Sequence, residues 1–173
     1  MRKVVAVGMF DSVHFARWLE QFQDQDLSFI LFPSSPHRRI HPKLSMLLNS
    51  RGRAHYSLTP LSRYFGLPLW ILDKLLDNSS RGLLLKIVIF QAKPEFVHAL
   101  ELQNAGYLVL KSLGKSKPEN VKIIVTNYGS DIFWFRRFPQ HLQKLKALLA
   151  LADIYAAECE RDIALARELG FDG

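Results

Sequence analysis

Residues 122–131 read KIIVTNYGSD and are preceded by Val121. From Val121 to Val125 the chain is β-branched except at Lys122, which suits a strand buried on both faces, as in a parallel sheet flanked by helices. The run empties into Asn127-Tyr128-Gly129-Ser130-Asp131. Gly129 lacks a Cβ, so backbone there turns sharply or approaches a ligand closely. Ser130 and Asp131 put a hydroxyl and a carboxylate just past the strand's carboxyl end, where open α/β sheets bind ligands. The same residues also suit a plain turn at Gly129 with Asp131 capping the next segment. The order of the rest of the chain bears on that choice.

At 173 residues the chain has the length of one domain with a substantial core. Nearly half of it (49%) is apolar, which excludes a disordered class. Lys and Arg number 23 against 16 acids, a net charge of +7 that favours anionic partners without choosing among them. Cys159 is the single cysteine, so no internal disulfide forms, and a reducing cytosol fits. The N-terminal apolar run is too short for a signal peptide, and 83–92, broken by Lys86, is too short to span a bilayer.

Residues 3–7, KVVAV, read as a first strand ending at Gly8, and 13–22 as a helix whose Phe15, Trp18, Leu19 and Phe22 share a face. A glycine loop between such elements suits phosphate, which makes Gly8, Ser12 and His14 candidate cleft residues. There is one glycine, not a dinucleotide fingerprint, and Asp11 or Ser12 also suits an N-cap. Residues 27–32, LSFILF, read as a second strand.

From 27 to 72 the chain contains no Asp or Glu. Arg38, Arg39, Lys43, Arg51, Arg53 and Arg63 are interleaved there with Met46, Leu47, Leu48 and the apolar run 64–72. Two readings stand for this span, an insertion at about 35–80. One is contact with an anionic membrane surface or lipid phosphate. The other is a solvated insertion whose apolar residues fold back on the core. His37 and His41 are four apart, but no carboxylate is near, so no metal site is expected.

Residues 82–90 read as a helix, 95–99 as a strand and 103–113 as the helix behind it, with Gly114 as its stop. His98 and Glu101 bracket the carboxyl end of that strand. His98 reads either as an inward ligand-binding group or as a satisfied core histidine. Residues 132–138 read as an aromatic loop with two arginines, Pro139 as a helix start, 153–157 as a short strand and 160–169 as a last helix. Cys159 has no evident activating base and reads as a small junction residue. Strands alternate with helices throughout, the pattern of a doubly wound α/β domain with its cleft at the strand carboxyl ends.

The order of a first strand with a short glycine loop, FVHALELQNAGYL, KIIVTNYGSDI and LLALADIYAAECERDIALARELGF resembles the N-terminal domain of a family 4 glycosyltransferase, a retaining enzyme of the GT-B fold. The resemblance is strongest over residues 95–171 and weak over 27–90. It implies a Rossmann-like acceptor-side domain, here residues 1–173, facing across a cleft a second domain that binds a nucleotide-sugar donor. The chain stops at Gly173, before such a domain, so the expectation is a fragment or one subunit of a split enzyme, with the donor domain in cis or in trans. The implied reaction moves a sugar to a glycan or lipid-linked acceptor in cell-envelope polysaccharide synthesis. No metal or cofactor is implied; the nucleotide sugar is a co-substrate. Such enzymes stabilise the leaving diphosphate with basic side chains and helix dipoles.

Gly8, His98, Gly129, Ser130 and Asp131 match the family and carry over as cleft residues, with Ser12, His14, Glu101 and Tyr128 beside them. His98 and Asp131 are the catalytic candidates. Two positions depart: Tyr128 stands where members commonly have His, and Leu100 where they have a second His two positions after His98. Tyr128 donates a hydrogen bond to a sugar hydroxyl but does not carry a proton at neutral pH as His does. The resemblance and charge together imply a cytoplasmic chain, peripheral at the inner face of the membrane. A non-catalytic binding or regulatory module of the same fold is the alternative. Nucleic acid is not an expected partner, since no recognised motif accompanies the basic span.

Overall fold

The computed structural model describes residues 1–35, 39–59, 71, 75, 79–129 and 131–173. His37, Arg38, Arg63, Ser130 and the run 64–70 lie outside the described residues. Among the described residues, six strands form one parallel sheet: β1 (Arg2–Gly8), β2 (Leu27–Pro33), β3 (His55–Leu58), β4 (Phe96–Leu100), β5 (Lys122–Asn127) and β6 (Ile154–Ala157). Their order is β3-β2-β1-β4-β5-β6. β1 lies between β2 and β4, with Val4 opposite both Phe29 and Phe96. The direction of winding reverses at this point, which opens a crevice at the carboxyl ends of β1 and β4.

Among the described residues the helices with full bounds are α1 (Val13–Glu20), α2 (Pro42–Leu48), α3 (Ser79–Ala92), α4 (Tyr107–Leu113), α5 (Asp131–Phe135), α6 (Pro139–Leu151) and α7 (Glu160–Glu168). They cover both sheet faces, and the strands show it. Along β1, Val5 and Val7 pack with Leu85, Ile89, Val109 and Leu148 from the α3, α4 and α6 layer. Val4 and Ala6 pack with Phe15, Leu19, Leu44 and Leu47 from the α1 and α2 layer. Alternate residues point to opposite faces, so a strand buried on both must be apolar throughout. That is why β1, β2 and β5 stand out in the sequence as largely apolar runs, and β4 as one broken by His98.

The span that reads as an insertion includes α2 and the edge strand β3, whose Tyr56 is buried and donates its hydroxyl to the Leu19 carbonyl at 2.8 Å. Residues 132–138 are expected as a loop, but 132–135 of them belong to the helix α5. Between β4 and α4 the chain makes a π-helical turn, Leu102–Gly106, closed by the Gly106 N–H on the Glu101 carbonyl at 2.9 Å. Gly8 is the close-approach glycine of β1: a Cβ there would come 2.5 Å from the Phe15 ring. It is buried against α1, which lets the helix sit tightly on the strand end.

Candidate functional site

At the carboxyl ends of β1, β4 and β5 lies a cavity of about 500 Å3. Ser12, His14, Glu101, Tyr128, Gly129, Asp131 and Glu158 line it, with Met9, Phe15 and Leu100 as its apolar wall. The parallel sheet brings these together because each follows a strand whose carboxyl end points the same way. Ser12 is the N-cap of α1, its hydroxyl accepting the His14 N–H at 3.2 Å. His14 and Tyr128 face each other across the mouth with ring centres 6.4 Å apart.

Glu101 is the most constrained of these residues. Its φ of 122° and ψ of 151° lie in a region that only glycine enters freely. The backbone is held there from both sides. The Glu101 N–H donates to the Thr126 carbonyl at 3.2 Å, and its own carbonyl closes the π-helical turn. Its buried carboxyl accepts from Ser34 Oγ at 2.9 Å and from Asn104 Nδ2 at 3.2 Å. Burial raises its pKa above the usual carboxylate value, and the nearby Asp131 pushes the same way, against the two hydrogen bonds. A non-glycine residue kept in such a conformation costs of order 1–3 kcal/mol, and such residues cluster where ligands bind.

Asp131 is half-buried at the start of α5. Burial raises its pKa; the Leu102 N–H pulls it down and the Asp162 charge pushes it up. Gln103 Nε2 reaches its Oδ1 at 3.5 Å, the outer limit of a hydrogen bond. Tyr128 is raised by burial and then by the charges of Glu158 and Glu101, which keeps it a neutral donor. Gly129 has a φ of +57°, where a side chain would be strained, and its N–H donates to Glu158 Oε2 at 3.1 Å. The exposed Glu158 carboxylate therefore holds the β5 loop where it lines the cavity.

Behind the loop is a polar latch with no signal in the sequence. Fully buried Asn127 accepts the Ile132 N–H on Oδ1 at 3.1 Å and donates from Nδ2 to Asp162 Oδ2 at 3.0 Å. Asp162 is also fully buried and accepts from Arg161 Nε at 2.8 Å. An Asn at a strand's end marks a turn, but its partner is 35 residues away on α7.

His98 does not join the cavity. It sits mid-strand on β4, opposite Ala6 and Ile124, with its side chain in the core. Its Nε2 is 2.7 Å from Thr126 Oγ1, and its ring meets Trp18 edge-on at 4.6 Å. Burial pushes its pKa down to about 4, so it is a neutral core histidine at physiological pH. Gly8 lies beneath the cavity rather than on its wall. Among the described residues, the basic side chains of the 27–72 span do not gather at this cavity. Arg39 follows the carboxyl end of β2, and Lys43 is paired with Glu20. Arg51 and Arg53 are exposed at the opposite, amino-terminal edge, where the Arg53 N–H donates to Gln23 O at 2.9 Å.

The architecture has a solved counterpart. Over 98% of its length the chain is similar to the chain in the S. aureus MnaA–UDP co-structure, with a TM-score of 0.56 and 17% identity. The match takes in 42% of that longer chain, so the present chain spans under half of it. The likeness establishes a Rossmann-like α/β fold. No family model matches the sequence. No curated protein matches it. Among the described residues, no three His, Cys, Asp or Glu side chains are grouped to hold a metal ion. None of the described helices is long and apolar enough to cross a membrane.

The cavity combines polar and apolar walls within this Rossmann-like frame. Three carboxylates, two hydroxyls and an imidazole line a partly apolar hollow whose volume falls in the range of small-molecule sites, roughly 300–1,000 Å3. The carboxylates are hydrogen-bond acceptors, and Tyr128 and His14 present ring faces at the mouth.

Proposed function

We propose that the chain is the acceptor-binding domain of a glycosyltransferase of the family 4, GT-B type, working with a nucleotide-sugar-binding domain supplied in cis or in trans. The observation that supports this most is the cavity at the β1, β4 and β5 ends, where Glu101, Tyr128, Gly129 and Asp131 of the resembling motifs meet Ser12 and His14. In this reading the acceptor is a glycan or a lipid-linked sugar of the cell envelope, and its hydroxyls lie against the carboxylates.

Asp131 accepts a hydrogen bond from the reacting hydroxyl. Its raised proton affinity makes it a stronger base than an exposed aspartate. Glu101, fixed by its backbone and by Ser34 and Asn104, sets the position of a neighbouring hydroxyl. The donor's diphosphate is held by the other domain. A second reading, a non-catalytic binding module, is favoured by Leu100 and Tyr128 at positions where the family commonly has His, and by the burial of His98.

The test is an amide chemical-shift titration of the 173-residue chain with hexoses and disaccharides, followed by transfer assays with a donor domain added. Saturable shifts at Gly129 and Asp131, weakened in Asp131→Asn, support a sugar site. Absence of shifts with every saccharide refutes it. Sugar transfer only with the donor domain present supports the enzymatic reading; binding without transfer leaves the binding module. Turnover of a nucleotide sugar by this chain alone overturns the division of labour.

A further inference from the structure

Asp162 is a fully buried acid on α7, and it is not among the residues that line the cavity. Its connection to the site runs through Asn127, which is also fully buried. Asn127 Oδ1 accepts the N–H of Ile132, the residue after Asp131, at 3.1 Å. Asn127 Nδ2 donates to Asp162 Oδ2 at 3.0 Å and to the Gly129 carbonyl at 3.4 Å. One amide thus grips the β5 loop at Gly129 on one side and at Ile132 on the other, with Asp131 between them.

A side-chain amide fits a given space either way round, but its two ends have opposite chemistry: Oδ1 only accepts and Nδ2 only donates. Asp162 removes the choice. An ionised carboxylate only accepts, so Nδ2 turns towards it and Oδ1 is left for the Ile132 N–H. That N–H lies in the first turn of α5, where the helix itself supplies no acceptor. With the amide reversed, oxygen would face oxygen at Asp162 and N–H would face N–H at Ile132. Both mismatches would lie away from water, where unmet polar groups are costly. The carboxylate is itself held, since Arg161 Nε donates to Asp162 Oδ1 at 2.8 Å. The Arg161 guanidinium also lies 4.7 Å from the Phe133 ring centre, so α7 touches α5 a second time.

We propose that Asp162 is a positioning residue for this cavity: it dictates which way round the Asn127 amide stands, and through that amide it fixes Gly129 and Asp131. The inference rests on the sugar reading of the cavity and deepens it, by adding a residue on α7 that acts without touching the ligand. If complementarity within the pair is what matters, the pair is exchangeable. Asn127→Asp/Asp162→Asn reverses donor and acceptor between the two side chains. The carboxylate then accepts from the Ile132 N–H and from the relocated amide, whose oxygen remains for Arg161 Nε.

The experiment compares the full chain with Asp162→Ala, Asn127→Asp, the exchanged double variant and Leu165→Ala. The last is a control that loosens α7 at a buried residue making none of these hydrogen bonds. Two quantities are read below the melting temperature of each variant. One is hydrogen exchange of the Ile132 amide; the other is the saccharide-induced shift at Gly129 and Asp131. Asp162→Ala and Asn127→Asp are expected to speed the exchange and weaken saccharide binding about tenfold or more. The exchanged variant is expected to recover both to within about threefold, the coupling that a double-mutant comparison isolates, while Leu165→Ala leaves both near wild type. Exchange and binding unchanged in Asp162→Ala, or an exchanged variant no better than Asn127→Asp, overturns the proposal. So does an equal loss in Leu165→Ala, because loosening α7 would then suffice. If Asp162→Ala does not fold, the comparison of Asn127→Asp with the exchanged variant decides. A wild-type chain that binds no saccharide refutes the sugar reading alone, and the Ile132 exchange rates then decide this inference.

Discussion

Replacing Glu101 by glycine should leave a more stable protein than replacing it by alanine, the reverse of the usual order. Both changes delete the carboxyl and its hydrogen bonds to Ser34 and Asn104, so those losses cancel in the comparison. What remains is the backbone at φ 122°. Alanine keeps the strain of about 1–3 kcal/mol, and glycine removes it. Against this, glycine gives the unfolded chain extra freedom worth about 0.4–1 kcal/mol. The difference favours glycine by roughly 1 kcal/mol, taking the middle of both ranges. Urea unfolding followed by tryptophan fluorescence reads it directly. With a slope of about 1–3 kcal/mol per molar, the midpoint of Glu101→Gly should lie about 0.3–1 M above that of Glu101→Ala. An alanine variant equal to or more stable than the glycine variant would refute the claim that this residue is held against its preference.

Four further outcomes are expected. Asp131→Asn should weaken saccharide binding while the melting temperature barely moves; a fall in stability of about 0.5–2 kcal/mol in Asp131→Ala with binding intact would instead mark a structural cap. Asn127→Ala should cost about 2–4 kcal/mol in chemical unfolding, because the Ile132 N–H and the Asp162 carboxylate lose their partner together. His98 has its folded pKa depressed to about 4, so the stability its neutral form brings is present above pH 6.5 and is lost as pH falls towards 4. That loss is about 3 kcal/mol, and a melting curve of His98→Gln should show a shallower acid limb. Glu101 has its folded pKa raised, so its contribution is full below the ordinary carboxylate range and is lost as pH rises above it. Glu101→Gln should abolish that fall, as read from melting temperatures across the acid range.

The elements legible in the sequence are those whose burial is two-sided. β1, β2, β4 and β5 are apolar on both faces, so their runs announce them. β3 is four residues at an edge, with exposed His55 and half-buried Ser57, and its pattern is lost among the surrounding basic residues. The 131–135 segment has no polar face to mark it as a helix, and only its packing against α6, α7 and the π-helical turn shows it as one. Of the two readings open for His98, the structure places it in the core, because mid-strand position and contact with Trp18 outweigh its nearness in sequence to Glu101. The turn at Gly129 is legible from its missing Cβ, whereas Asp131 reads equally as a cap until the order of the strands is considered. The strained backbone of Glu101 is not legible, since glutamate gives no hint of a positive φ. Glu158 and Asp162 act on the β5 loop from some thirty residues away, a relation created only by the β5–β6 pairing.

The central place of β1 has a consequence for how the chain is made. One edge of β1 is satisfied by β2, which follows within a few tens of residues. The other waits for β4, since Val4 pairs with Phe96 some ninety positions later. At a synthesis rate of about 5–20 residues per second, the ribosome needs about 5–20 s to deliver that partner. During this interval the nascent protein carries Val5 and Val7 uncovered by Leu85 and Val109, along with an unpaired row of backbone donors and acceptors. Such an edge is a template for wrong pairing. The first half-sheet is thus the state most exposed to aggregation during synthesis.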